Sequence, residues 1–183
     1  SGAITLANNS QITALGGGTL QGTLALGPEA NSFAVFRGTT IYDTGATFTG
    51  SGGFVSIEGG TLHTTAGNYQ PTVNLELLGN LAMPEATALS VGSGRWLRIA
   101  GTVPALSVRV GSGGTFELMG GTNTKAITVE HGGAMRLGDA YSNPTNHTRP
   151  DEPNIFNAVA GQPGRGDIDN HGTLTVVPGS VTG

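Results

Sequence analysis

The sequence has 183 residues, of which 37% are hydrophobic, 11% are charged and 32 are glycine, so it carries enough apolar side chains for a core and is unlike a disordered tail. Cysteine is absent, which excludes a disulfide framework and thiolate chemistry. The net charge of -4, with eight scattered cationic residues, argues against nucleic acid and anionic membranes as partners, and no apolar stretch has the roughly 18 residues of a membrane helix.

Short strands separated by glycine are the elements that the first half of the chain predicts. The start, Ser1–Thr5, lacks the basic and apolar regions of a signal peptide. The segments Gly18–Gly27 and Phe54–Leu62 each show a strand, a glycine turn and a second strand. Val, Ile, Leu and Thr alternate with small or polar residues throughout, without the 3.6-residue period of a helix. We therefore expect an all-β chain with almost no helix.

A repeat of nineteen residues is the strongest pattern in the chain. The segments Leu89–Gly101, Val108–Gly120 and Ile127–Gly138 align without gaps, at intervals of 110 − 91 = 19 and 129 − 110 = 19. Each unit has two short strands joined by a glycine turn, where a positive φ brings no clash with Cβ. One unit cannot bury its apolar side alone, so such units stack about 4.8 Å apart. The sequence predicts a single parallel β-solenoid over residues 1–183, with coils of about 19 residues.

The repeat assigns particular residues to the core and to the surface. Two inward columns should consist of Leu97, Phe116 and Met135, and of Ile99, Leu118 and Leu137. Arg98, Glu117 and Arg136 lie between these positions, so they should point outward as a surface file whose charge alternates from coil to coil. A surface file of this kind contributes only about 0.2 to 1 kcal/mol per contact, and it is better suited to fixing the register.

Residues 139–166 interrupt the repeat. They are rich in Pro, Asn and Asp and predict a loop excursion from the solenoid wall, after which the pattern resumes at Ile168–Val176. A specialised surface that binds a glycan or a receptor is expected first in this excursion. Its candidate binding residues are Tyr141, His147, Arg149, Asp151 and Glu152.

Two turns carry a resemblance to a known class of protein. Gly59–Leu62 reads Gly-Gly-Thr-Leu, Asn170–Val176 reads Asn-His-Gly-Thr-Leu-Thr-Val, and units with such turns resemble the passenger repeats of autotransporters and related bacterial surface proteins. The resemblance implies a right-handed parallel β-helix exposed outside the cell, often in an adhesin or a stalk. The glycine density also suits phage tailspikes, tail fibres and capsid decoration proteins. No catalytic residue of the autotransporter-like family maps onto this chain.

Metal sites have only weak support in the sequence. Asp167 and Asp169 would share a face of a strand and, with the carboxylates of the excursion, could hold Ca²⁺, but the spacing of a calcium-binding loop is missing and solvated acids are the plainer interpretation. His131, His147 and His171 lack the helical spacing or cysteine partners of a metal site and fit turn positions instead. No other cofactor is expected.

Three further activities find little support. Polysaccharide hydrolysis would need two carboxylates facing each other at about 5 to 9.5 Å, which the sequence does not indicate. Arg165–Asp167 spells the integrin-binding tripeptide Arg-Gly-Asp, a match short enough to arise by chance. Ice binding would need a regular Thr-x-Thr column, and Thr47–Thr49 has no matching pair nineteen residues away.

Taken as a whole, the sequence predicts a non-enzymatic structural or adhesive module located outside the cell, on the cell surface or on a virion. Its ends, Gly2–Leu6 and Thr173–Pro178, both resemble strands without a cap, so we expect it to associate with copies of itself or with neighbouring domains. The competing hypothesis is a phage or surface protein that binds a glycan or a receptor through the 139–166 excursion.

Overall fold

The chain is a parallel β-solenoid, which confirms the predicted all-β class. The computed structural model describes residues 2–29, 31–64, 67–100, 107–123, 126–137, 154–156, 168–176 and 181–182, and these contain strands without any helix. The strands are β1 Gly2–Thr5, β2 Gln11–Ala14, β3 Thr19–Ala25, β4 Phe33–Arg37, β5 Thr40–Thr49, β6 Phe54–His63, β7 Asn68–Tyr69, β8 Asn74–Ala82, β9 Ala88–Val91, β10 Trp96–Ala100, β11 Ser107–Val110, β12 Thr115–Asn123, β13 Ile127–Val129, β14 Ala134–Leu137, β15 Asn154–Phe156, β16 Ile168–Asn170, β17 Thr173–Val176 and β18 Val181–Thr182.

Two parallel stacks of strands form the described wall. The larger sheet follows the order β1-β3-β5-β6-β8-β10-β12-β14-β17, and β2 and β4 join it through β6. The smaller sheet follows the order β16-β13-β11-β9-β7. Parallel neighbours need a connection that returns the chain to the same edge, and here each coil supplies that connection. The right-handed winding stays a prediction.

Apolar residues at equivalent positions of successive coils form the core. Leu97 pairs with Phe116, and Phe116 with Met135, the register that the nineteen-residue repeat predicts. The two inward columns continue upstream from these residues, and their members are at most 4% exposed. They are Ala34, Val55, Leu75, Leu97, Phe116 and Met135, and Phe36, Ile57, Leu77, Ile99, Leu118 and Leu137. Burying each large side chain contributes about 1.5 to 3 kcal/mol, so the stack of columns stabilises the wall.

Coil length varies along the chain. The nineteen-residue interval holds between Val91, Val110 and Val129 in the smaller sheet. Before this region the coils are longer: Phe36 pairs with Ile57 and Leu24 with Phe48, which are 57 − 36 = 21 and 48 − 24 = 24 residues apart. Bulges accommodate part of the extra length, because the pairing shifts between Glu58 and Gly60 and again in β3.

Part of the predicted excursion belongs to the stack of strands. Asn154–Phe156 pairs in parallel with Gly121–Asn123 of β12, so this piece of the 139–166 segment continues the wall instead of leaving it. The rest of that segment lies outside the described residues. Beyond this segment, Leu174 pairs with Met135, so β17 lies beside β14 as the next strand of the larger sheet.

Candidate functional site

The charged file is the most concentrated set of ionisable side chains in the described wall. The pairing register aligns Glu76, Arg98, Glu117 and Arg136 on four successive strands. Arg98 donates from Nη1 to Oε1 of Glu76 at 3.1 Å and from Nε to Oε2 of Glu117 at 2.8 Å. Nη1 of Arg136 lies 3.6 Å from Oε1 of Glu117, so the alternating charges connect successive coils.

This file is buried at Glu76 and Arg98 and half-buried at Glu117 and Arg136, which corrects its prediction as a surface ladder. Glu76 is fully buried and Arg98 is 6% exposed, although both side chains point away from the core columns. The reason is that β8 and β10 are buried on both faces over Asn74–Leu78 and Leu97–Ala100. The Arg98 guanidinium also lies over the Trp96 ring, 5.1 Å from its centroid. Alternation along a strand thus gives the direction of these side chains correctly but not their exposure.

Electrostatics keeps Arg98 charged in this setting. Burial by itself lowers the pKa of Arg98, but the charge of Glu117 and hydrogen bonds to Glu117 and Glu76 outweigh burial and raise the pKa above its ordinary value. Removing one partner of such a buried pair leaves a desolvated charge, which is costly. The arrangement therefore suits a device that fixes the coil register, and its charged atoms are engaged with one another.

Most of the predicted binding and metal residues lie outside the described residues. This holds for Tyr141, His147, Arg149, Asp151, Glu152 and Asp167, and for the Arg-Gly-Asp tripeptide. Asp169 is described, and its Oδ1 lies 2.9 Å from Nε2 of His171, with both side chains about two-thirds exposed at 67% and 66%. The second calcium candidate therefore contacts an imidazole and not a further described carboxylate.

Two other features concern metals and membranes. Within the described ranges, no group of three or more His, Asp or Glu side chains is arranged to hold a metal ion. The same ranges contain no helix with the length and apolar character to cross a membrane.

An exposed cluster of three side chains was missed by the sequence analysis. Tyr42 pairs with His63 on the next strand, and their rings stack with centroids 4.5 Å apart and planes 5° apart. Nδ1 of His63 lies 2.8 Å from Oε1 of Glu85, and the Thr64 amide donates to Oε2 of the same carboxylate at 3.3 Å. We call Tyr42, His63 and Glu85 the Tyr42 cluster. In this cluster an exposed aromatic ring stacks on an imidazole that contacts a carboxylate.

The cluster escaped notice because it does not follow the nineteen-residue register. Its members are 63 − 42 = 21 and 85 − 63 = 22 residues apart, the coil lengths of the first half of the chain. The hydrogen bond from His63 lowers the pKa of Glu85 below its ordinary value, and the Thr64 amide acts in the same direction. Glu85 is therefore ionised at neutral pH. A search for aromatic, His and acidic residues at intervals of about 21 would have found the cluster.

Comparison of the chain with known proteins finds no matching family model, no matching curated protein and no matching solved structure.

Proposed function

We propose that this chain is a non-enzymatic structural and adhesive module, a stiff β-solenoid that acts outside the cell, on a cell surface or on a virion. The proposal rests on the ion pairs of the described residues, which connect neighbouring coils. With the exception of Asp169 and His171, the described ion pairs join a residue to one on the next coil. They are Arg37–Glu58, His63–Glu85, Glu76–Arg98, Arg98–Glu117, Arg109–Glu130 and Glu117–Arg136.

Ties of this kind favour a load-bearing role over a catalytic one. A catalytic site collects reactive groups around one point where a substrate atom can sit. Here the paired Arg and Glu side chains are distributed along the stack, and each pair joins two neighbouring coils.

The partners proposed for the module are copies of itself or neighbouring domains. Ile4 and Leu174 occupy inward positions in β1 and β17, yet they are 44% and 39% exposed. Their neighbours in the same columns, Leu24 and Met135, are 2% and 0% exposed. A further coil that stacked on β1 or β17 would bury this apolar surface.

Force spectroscopy tests the structural role directly. The 183-residue protein, placed between two reference domains of known unfolding force, should resist extension and then lengthen in steps that correspond to one or a few coils. Extension at low force without steps would contradict a load-bearing module. In parallel, the protein should release no reducing ends from a panel of polysaccharides. Release that disappears in a Glu→Gln variant would establish an enzyme instead.

A further inference from the structure

A bulge in the solenoid wall lies beside Tyr42. Between paired positions Leu20–Ile41 and Gly22–Ala46, strand β3 has the single residue Gln21, whereas β5 has the four residues 42–45. Tyr42 therefore has a regular partner only on the side of His63. The Tyr42 residue is 39% exposed, and Gln21 is exposed as well. Bulges of this kind re-aim side chains and recur beside functional sites.

Gln21 borders this bulge from the preceding coil. A Cβ atom built on Gly45 would lie 3.6 Å from Cγ of Gln21, so the Gln21 side chain runs along the bulge. The glutamine amide offers one acceptor oxygen and two donor hydrogens. On the other side of the Tyr42 ring lie His63 and then Glu85. An aromatic ring is thus flanked by an amide and by an imidazole–carboxylate pair.

The site is also held in place before any ligand arrives. Stacking on His63 restrains the Tyr42 ring, and the hydrogen bonds from His63 and from the Thr64 amide restrain Glu85. Because a carboxylate only accepts, His63 donates from Nδ1. Preorganised side chains lose little rotamer entropy on binding, which allows a small contact area to give useful affinity.

These groups fit a ligand that has one apolar face and several hydroxyl groups at its edge. We propose that Tyr42, backed by His63 and bordered by Gln21, binds a neutral sugar ring, with the ring's C–H face on the side of Tyr42 opposite His63 and its hydroxyls hydrogen-bonded to the Gln21 amide. An anionic sugar or a phosphate is disfavoured, since the described ion pair of the cluster holds a carboxylate, Glu85, and no described Arg or Lys is paired with it. The inference rests on the adhesive part of the proposed function.

A binding panel tests the proposal with defined probes. The probes are methyl glycosides of glucose, galactose, mannose, N-acetylglucosamine and N-acetylgalactosamine, with their α- and β-linked tetrasaccharides, followed by saturation-transfer NMR and calorimetry. At least one neutral probe should bind, with saturation transfer from Tyr42 protons. Tyr42→Ala should weaken binding by about tenfold or more, because it removes the aromatic platform. Tyr42→Phe should retain most of the affinity, whereas Gln21→Ala should weaken it.

Matched controls separate loss of the site from loss of the fold. Arg109→Ala removes a side chain that is 69% exposed in the smaller sheet, and it should leave binding unchanged. Each variant should keep the wild-type circular dichroism spectrum. If Tyr42→Ala perturbs that spectrum, the comparison of Tyr42→Phe with Gln21→Ala decides the question. No binding of any neutral probe at about 10 mM, or binding that neither Tyr42→Ala nor Gln21→Ala alters, would overturn the proposal. Neither result would affect the force measurement, so the structural role would stand or fall separately.

Discussion

Arg98 and Glu117 form the central ion pair of the solenoid wall, with Nε of Arg98 2.8 Å from Oε2 of Glu117 and with side chains that are 8% and 12% exposed. The two residues are nineteen positions apart, so the bond joins one coil to the next. A slip of one residue in either strand would turn this pair toward the apolar core. Its main contribution is therefore to the choice of register, since the cost of desolvating both ions offsets much of their attraction.

Glu117→Gln should destabilise the protein by about 3 kcal/mol, because it leaves Arg98 buried with one carboxylate fewer. Salt should change this cost little, since buried pairs are screened weakly. The matched variant is Glu130→Gln, whose partner Arg109 is 69% exposed. It should cost at most about 1 kcal/mol, and the cost should shrink with added salt. Denaturant unfolding at two salt concentrations measures both. Equal costs for the two variants would contradict a buried file.

The stacked core gives a second prediction. Phe116 is fully buried between Leu97 and Met135, so Phe116→Ala should cost about 3 to 5 kcal/mol through lost burial and a cavity. Leu174→Ala is the control, because Leu174 is 39% exposed in the same column and should cost clearly less. Guanidinium unfolding gives both values. A Phe116 variant as stable as the wild type would show that this column does not support the wall.

The sequence predicted the part of the fold in which coil length is constant. Between Ala88 and Leu137 the same residue types recur at one interval, so aligning the letters also aligned the strands. Upstream the interval changes from coil to coil, and the bulges at Gln21 and at Gly59 shift the pairing within a strand. A fixed period cannot follow such insertions, and this is why the Tyr42 cluster went unnoticed.

Exposure was harder to predict than direction. The alternation of Leu97, Arg98 and Ile99 places the arginine on the outer face, as the structure has it. That Arg98 is nonetheless 6% exposed depends on contacts between residues far apart in the chain, which strand periodicity does not contain. Similarly, the sequence gives the charge of Arg98, Glu117 and Arg136, but it does not say whether these side chains are exposed to solvent or buried.

Acid should weaken the tie between Glu85 and His63. Because the pKa of Glu85 is lowered in the folded state, Glu85 binds fewer protons there than in the unfolded chain, where its pKa is about 4.3. Its contribution to stability is therefore complete above that value and is lost as the pH falls through the folded pKa. The difference in unfolding free energy between wild type and Glu85→Gln should shrink from pH 6 toward the acid range. A difference that grows on acidification would reverse the assigned sign.

Alanine substitutions at two glycines of the repeat turns should distinguish the cost of backbone strain from the cost of a steric clash. Gly94 has a φ of 67° and no atom within 4 Å of a built Cβ, so Gly94→Ala should cost only the left-handed strain, about 1 to 2 kcal/mol. Gly114 carries no such strain, but its Cβ would lie 2.7 Å from the carbonyl oxygen of Val91 on the preceding coil. Gly114→Ala must push two coils apart, so it should cost more than Gly94→Ala. It should also weaken the hydrogen-exchange protection of the Gly111 amide, which donates to the same Val91 oxygen.

Gly2→Ala is the control for both variants, because its added Cβ would have no atom within 4 Å and Gly2 has no positive φ. It should change stability by less than about 0.5 kcal/mol. Thermal unfolding and amide hydrogen exchange measure these effects, and a Gly114 variant with wild-type stability and protection would mean that the coils are not held at the distance described.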